Sequence, residues 1–569
     1  MSTRPSAVYP PLDGSVLLPS LVDFNLQHNA SLPAFVYSEA VGSLTEISFL
    51  EFGRAAHRAA HLLFPRTEGP QSGVVAVIAN VDTLLYGAIF AGLMQAGLIP
   101  FTISPLNSAE AIVEMLQKSG CHRILTTHAS LGALMTQISA LVPPEYRLSL
   151  QEVPTLAQCY PILGHETAAD AFTPYPALAA PPEMDGVSLI LHSSGSTGFP
   201  KPIPQTNRVV LGWCGLDLVV DSRRTFRFSG MHVPRGQIGW FTIDFLVPLT
   251  SLTSVSLYPP TSFYDHTKVP VVPTSDNIVE HCQRTGVTAV LGAPQLVELW
   301  IREPQIVEWL KAMDFMIVGG GPLAVKTGDA LSRAGVKIVH QYGATELGMV
   351  TKILRDSAKR SPEDWHYMQF SDKVDVRWIP QADGTSESQF LDTEVHSVSV
   401  YNLPGVKGYA TNDCWLPHPT KPDLWRIVGR LDDVIILATG MNVGPAPLEN
   451  VIMSSPLITG IVVFGRGRER VGVLLEPAPG VAVGNLREFR NRIWPLVEDA
   501  NKIAPAFGCI SKDMIILAAA DRPMARTGKG TVAKQATLRA YAVEIDALYD
   551  TVEASGHHSN LCPCKTESV

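Results

Sequence analysis

His192-Ser-Ser-Gly-Ser-Thr-Gly-Phe-Pro-Lys201 is the stretch on which the reading of this chain turns. The apolar run Val187-Ser-Leu-Ile-Leu191 ends here, and hydroxyls, small residues and a single lysine follow. Gly195 and Gly198 let backbone N–H groups approach an anion, Ser193, Ser194, Ser196 and Thr197 offer hydroxyl donors, and Lys201 brings positive charge. Such a loop suits a polyphosphate. It is not a Walker loop, because G-x-x-x-x-G-K-[ST] has no place for the prolines at 200 and 202 that flank the lysine. The same composition fits a flexible Ser/Gly surface linker. Taken alone, the loop leaves both readings open.

Outward from it, apolar strands such as Val74-Val-Ala-Val-Ile78 and Thr288-Ala-Val-Leu291 alternate with amphipathic stretches, the pattern of parallel strands joined by crossover helices. Phe315-Met-Ile-Val318 runs into Gly319-Gly-Gly-Pro322, and Val336-Lys-Ile-Val339 into Gln341-Tyr-Gly-Ala-Thr-Glu346. Both put polar or glycine-rich loops at strand C-termini, where open α/β sheets bind ligands. After Gly429-Arg-Leu-Asp-Asp433 the strands shorten, and a helix is predicted over 486–503. The expected fold is α/β: a large N-terminal domain of parallel or mixed sheets over 1–431, a small α+β domain over 432–555, and a loose tail over 556–569.

Composition narrows the partners. With 569 residues the chain exceeds one hydrophobic core, and 46% hydrophobic against 17% charged residues describes a packed globular protein. A net charge of -9 with no basic cluster argues against nucleic acid. Eight scattered cysteines and an N-terminus lacking an apolar signal run place the chain by default in the cytoplasm. His557, His558, Cys562 and Cys564 in the tail fit no standard zinc spacing. The segment 83–105 carries no charge and is long enough to span a membrane, but Gly87, Gly92, Gly97 and Pro100 interrupt it. It reads as a buried helix and strand, so no stable membrane insertion is expected.

In its order of residues the loop resembles the signature of the adenylate-forming superfamily, which includes acyl- and aryl-CoA ligases, luciferases and peptide-synthetase adenylation domains. The resemblance continues, in the family's order, at Tyr342-Gly-Ala-Thr-Glu346, Tyr409-Ala-Thr-Asn-Asp413, Gly429-Arg-Leu-Asp-Asp433 and Arg526-Thr-Gly-Lys529. The wording of the loop, of Thr411-Asn-Asp413 and of Ala525-Arg-Thr-Gly-Lys-Gly530 is similar to fungal synthetase-like proteins and carboxylate reductases. In those proteins a carrier domain and a reductase or thioesterase domain follow. Here the 40 residues after Lys529 are too few for a carrier, so a free-standing enzyme or a separated adenylation unit is expected.

The resemblance implies ATP-dependent activation of a small carboxylic acid to acyl-AMP, then transfer to a pantetheine thiol of CoA or a carrier protein, with a reductase domain as a further partner. A catalytically silent nucleotide-binding scaffold of the same fold is the alternative. Carboxylate attack on the α-phosphate brings two anions together, so the site must supply positive charge and oriented donors. By resemblance, Ser193, Ser194, Gly195, Ser196, Thr197, Gly198 and Lys201 hold the β and γ phosphates, Thr345 serves the α side, and Glu346 places Mg²⁺, a hard cation that suits carboxylate oxygen. Read by themselves, Thr345 and Glu346 also fit a helix cap with a first-turn acid.

Gly319, Gly320, Gly321, Gln341, Tyr342 and Gly343 would form the adenine slot, Asp413 would accept from the ribose hydroxyls, and Arg430 would donate near ribose or phosphate. Asn412 stands where many relatives carry glycine. The bland reading of Asp413 and Arg430 is a surface ion pair. Lys529 is implied as the catalytic cation, Asp432 as the hinge, and Gly440, Met441 and Asn442 as the thiol channel. His232, Gly292, Ala293 and Pro294 are candidates for the acid pocket. Asp244-Phe245 reverses the family's Phe-Asp pair for an α-amino group, which favours an aryl or alkyl acid over an amino acid.

Overall fold

The computed structural model describes residues 7–65, 73–178, 180–193, 200–223, 226–230, 237–263, 265–354, 361–381, 384–439, 441–527 and 530–554. In the N-terminal domain two large sheets share one core. One runs in the order Ile338–Gln341, Phe315–Gly319, Ala289–Gly292, Phe228–Ser229, Val255–Ser256, Pro33–Tyr37, Thr45–Ser48, parallel throughout except for the last pair. The other runs Ser149–Glu152, Arg123–Thr126, Val74–Ile78, Ile99–Thr102, Val187–His192, Pro202–Thr206, again with only the last pair antiparallel.

Parallel strands need cover on both faces, and side chains that alternate along each strand meet that need. Val75 and Val77 point into the shared core, whereas Ala76 and Ile78 pack with Ile112 and Met115 of the helix Ala109–Ser119. In the first sheet Phe315 and Ile317 join the shared core, while Met316 and Val318 pack with Trp300 and Leu310.

The helices Phe49–Leu63 and Thr83–Gln95 both contribute to the shared core. From Leu84 to Gln95 every side chain is buried, so this helix is apolar on all faces. No helix among the described residues is long and apolar enough to cross a membrane. Gly87 and Gly92 do not interrupt the helix, contrary to the reading of the sequence. A Cβ at Gly92 would lie 2.7 Å from the Ala56 carbonyl oxygen and 2.9 Å from the Ala60 nitrogen, so the glycine is needed where two backbones touch. The helix stops at Gly97, whose φ of 79° only glycine adopts freely.

A five-stranded antiparallel sheet follows, ordered Met368–Gln369, Leu424–Arg430, Gly408–Pro417, Ser386–Leu391, Asp375–Pro380. The C-terminal domain is built on Ile458–Phe464, Gly472–Pro477 and Ile515–Leu517. Ile461, Val463 and Leu475 face the helix Leu486–Ile503, which has the span expected from its periodicity. Val462, Phe464 and Leu474 face Tyr541 and Tyr549 on the opposite side.

Candidate functional site

The strand Val187–His192 pairs antiparallel with Pro202–Thr206, so the signature loop closes a hairpin. Its neck is fixed by Ser193 N donating to Lys201 O at 3.0 Å and Lys201 N donating to Ser193 Oγ at 3.3 Å. His192 is buried behind it, its Nε2 accepting from Ser104 N at 3.3 Å. Ser194, Gly195, Ser196, Thr197 and Gly198 lie outside the described residues.

Ser193 and Lys201 open onto a cavity of about 560 Å³ that gathers most of the described candidates: Gly320, Gly321, Gln341, Tyr342, Gly343, Thr345, Glu346, Asp413 and Arg430. Gly319 ends its strand in register with Gln341, and a Cβ there would come 3.1 Å from the Gln341 carbonyl oxygen. Gly320 has a φ of 79°, and a Cβ on it would meet nothing within 4 Å. A bare backbone therefore forms part of the wall, open to a flat ligand.

Thr345 and Glu346 do not begin a helix. They form the turn of a short hairpin between Gly343–Ala344 and Gly348–Met349. Two glycines make that hairpin possible. A Cβ at Gly343 would fall 2.4 Å from the Gly348 carbonyl oxygen, and one at Gly348, where φ is 81°, would fall 2.6 Å from the Trp213 ring. The turn is anchored by Gln205 Nε2 donating to Thr345 O at 2.8 Å and Ser399 N donating to Glu346 O at 2.7 Å. Thr345 is buried and Glu346 half-buried at the cavity wall.

Asp413 and Arg430 face each other across paired strands, and they are not a surface pair: Asp413 is 8% exposed. Arg430 Nη1 donates to Asp413 Oδ1 at 3.2 Å, and the Tyr342 hydroxyl donates to Asp413 Oδ2. Burial pushes the Asp413 carboxyl up to about 6, against the opposing pull of Arg430 and Tyr342. The side chain is aimed by a backbone distortion at Asn412, whose φ of 61° is left-handed. Asparagine tolerates that region better than most residues, and glycine tolerates it best, which accounts for the glycine expected here in relatives. Tyr342 presents less free ring than the sequence suggested. It is half-buried, edge-on to Trp415 at 4.8 Å and parallel to Phe390 at 6.3 Å.

Arg430 also grips Asp432, through Nε at 2.8 Å and Nη2 at 3.0 Å. From the C-terminal domain, Asp433, Ala446, Glu449, Asn450 and Lys534 complete the cavity wall. Sequence reasoning missed these five. Asp433 lay inside a quoted motif without a role, while Glu449 and Lys534 carry no local signal. The Asn442 side chain lies outside the described ones, and Met441 is exposed and does not wall the cavity. Nor do Gly292, Ala293 and Pro294, which sit at the end of the neighbouring strand, with Pro294 packed near Gly321. His232, Gly440 and Lys529 lie outside the described residues, as do the tail cysteines and histidines. Among the described residues no cluster of metal-binding side chains occurs.

The AMP-binding enzyme family profile matches residues 23–369, and the AMP-binding enzyme C-terminal domain matches 432–553. The adenylate-forming reductase Nps11 of Serpula lacrymans var. lacrymans is 46% identical over 557 residues, covering 96% of this chain and 50% of the relative. A carboxylic acid reductase of Neurospora crassa is 25% identical over 539 residues, covering 89% of this chain and 48% of the relative. The chain thus spans about half the length of the curated relatives it matches. In fold it is similar to the A domain of carboxylic acid reductase from Segniliparus rugosus, solved with AMP and a co-purified carboxylic acid, at a TM-score of 0.69 and 15% identity over 95% of each chain. With both family models matched in order and most of the described candidate residues on one cavity, the chain belongs to the AMP-binding, adenylate-forming enzyme family.

Proposed function

We propose that the chain condenses a small carboxylic acid with ATP to give acyl-AMP and pyrophosphate, and then passes the acyl group to a pantetheine thiol of a carrier protein or CoA. One observation carries the reading: Lys201, Thr345, Glu346, Asp413 and Arg430 converge on a single cavity of about 560 Å³ with a bare glycine wall at Gly320. Solved neighbours of the same fold hold AMP with a carboxylic acid, or anthranoyl-AMP.

In this reading Ser193, Lys201 and the rest of the signature loop hold the departing pyrophosphate. Gly320, Gly321 and Tyr342 border the adenine, and Asp413 accepts from the ribose hydroxyls in competition with the Tyr342 hydroxyl and Arg430. The donor set also fits Mg²⁺. Glu346 supplies one carboxylate at the cavity wall, and phosphate oxygens and water complete such a shell. When bound, the ion neutralises phosphate charge. Lys529 serves as the cation between the acid's carboxylate and the α-phosphate, and Asp432 as the hinge.

An aryl or alkyl acid is favoured. Asp244, the one carboxylate between 231 and 245, lies beside Gly230 and does not wall the cavity. The reductase names of the longer relatives suggest that the acyl thioester is destined for reduction. The test is pyrophosphate release from ATP and Mg²⁺ with a panel of aryl, fatty, hydroxy and amino acids, with hydroxylamine trapping the acyl-AMP. Release should depend on the acid and be lost in Lys529→Ala, where removing the donor costs on the order of 3 kcal/mol in the barrier. Release with no acid on the panel would instead favour a silent nucleotide-binding scaffold, and an active Lys529→Ala would remove that lysine from the chemistry.

A further inference from the structure

Where the strand Gly408–Pro417 brings Asp413 to the cavity, it loses register with its neighbour Ser386–Leu391. Gln389 pairs with Ala410 and Glu387 with Cys414, so Thr411, Asn412 and Asp413 stand opposite the single residue Ser388. A bulge of this kind re-aims a side chain, but it takes backbone groups out of the ladder. Other partners take the place of that ladder. Thr411 Oγ1 donates to Ser388 O at 3.0 Å and accepts from Asp413 N at 3.0 Å, and Leu431 N donates to Asn412 O at 2.7 Å. Asn412 N, in the left-handed residue itself, donates to Glu387 Oε1 at 3.3 Å.

Glu387 is buried and does not line the cavity. Its other carboxylate oxygen accepts from Gln389 Nε2 at 3.0 Å. Gln389 Oε1 accepts in turn from Arg377 Nε at 3.0 Å and Nη2 at 2.6 Å, and Arg377 is its direct partner on the edge strand Asp375–Pro380. Polarity runs one way along this row, from the Arg377 cation through an amide to the Glu387 carboxylate, and each bond strengthens the next. The acceptor for Asn412 N is therefore fixed before any ligand arrives.

We propose that Glu387 is a positioning residue for the nucleotide ribose: by accepting from Asn412 N it holds the left-handed backbone that aims Asp413. The inference rests on the ribose role given to Asp413 above. The Tyr342 hydroxyl and Arg430 also hold that carboxylate, but through the two oxygens that the ribose hydroxyls must share. Once a ligand competes for those oxygens, the backbone is what still fixes the direction of the side chain. A carboxylate that served only its own sheet would, when removed, weaken every nucleotide alike. One that aims Asp413 weakens the ribose contacts selectively.

Calorimetric titration of the full chain with AMP, and with its analogue lacking both ribose hydroxyls, reads that difference and needs no acid substrate. The wild type should bind AMP about 100-fold more tightly than the dideoxy analogue, about tenfold for each hydroxyl bonded to a carboxylate. In Glu387→Ala the ratio should fall to about tenfold, through weaker AMP binding with the affinity for the analogue unchanged. Glu387→Asp keeps the charge and withdraws the carboxylate by one methylene; it should lose the ratio in the same way, and it carries the test if the alanine variant does not fold. Glu387→Gln keeps an oxygen for Asn412 N and should restore most of the ratio. A wild-type ratio in Glu387→Ala or Glu387→Asp overturns the proposal, as does an equal loss for both nucleotides. If the wild type binds both nucleotides equally, the ribose reading of Asp413 fails. Amide hydrogen exchange across 410–416 still decides whether Glu387 holds the bulge: it should quicken in Glu387→Asp and not in Glu387→Gln, and unchanged exchange in Glu387→Asp overturns that role.

Discussion

Replacing Asp413 with asparagine should make the empty protein more stable at neutral pH while weakening its hold on nucleotide. The carboxyl is buried, and its pKa stands near 6 against an ordinary value of 3.8. The folded protein thus holds the proton more tightly than the unfolded chain. The neutral form contributes its full stability below pH 3.8, and that contribution is lost as the pH rises through about 6. At about 1.4 kcal/mol per pH unit, ionising Asp413 in the fold costs about 3 kcal/mol. Asparagine is never charged and can still accept from the Tyr342 hydroxyl. Urea unfolding of both proteins, followed by tryptophan fluorescence from pH 4 to 8, should show little difference at the acid end. The variant should then gain steadily, levelling off above neutrality at up to about 3 kcal/mol. AMP affinity should behave in the opposite sense, weakening in the wild type as Asp413 is protonated and staying low and flat in the variant. A wild type that gains on the variant as pH rises, or a difference independent of pH, would refute the assignment of a costly buried charge.

Two glycine substitutions separate the site from the scaffold. Gly343→Ala places a methyl 2.4 Å from the Gly348 carbonyl oxygen, so the Thr345–Glu346 turn must shift. Acid-dependent pyrophosphate release should be lost, with a far-ultraviolet dichroism spectrum like that of the wild type. Gly92→Ala forces apart the helices Phe49–Leu63 and Thr83–Gln95, where the methyl would lie 2.7 Å from the Ala56 carbonyl oxygen. Overpacking of this kind costs about 1–3 kcal/mol, read as a lower urea midpoint with KM for ATP unchanged.

What could be read from the sequence were features marked by residue type at strand ends. The apolar runs, the glycines after Val318, the hydroxyl-rich loop after His192 and the acid after Asn412 are all local signals, and the structure brings most of the described polar and glycine members of those motifs to one cavity. Contacts between distant segments were not legible. The Thr345–Glu346 turn is a hairpin because Gly348 must fit against Trp213, a residue 135 positions away, and nothing near Thr345 announces that. Gly92 looks like a helix breaker until Ala56 lies against it. Lys534 has its partner Asp433 101 positions earlier, so no window on the sequence pairs them. For Asp413 and Arg430 a surface ion pair stood open beside the ribose role, because charge alone does not reveal which strands bury the carboxylate.

The ionic contacts around the cavity also decide which substitution is informative. Arg430 is shared: one guanidinium nitrogen serves Asp413 and two serve Asp432. Its two acidic neighbours hold it charged at any working pH, although burial pulls the other way. Removing it would therefore strand the buried Asp413 carboxylate and release that of Asp432 in a single step. A loss of activity could then be credited to either end. Asp413 does not have this ambiguity, since its partners Tyr342 and Arg430 both remain after its replacement and Arg430 keeps its two-point grip on Asp432. A change at Asp413 thus reports on that carboxylate alone, with the Arg430–Asp432 contact intact.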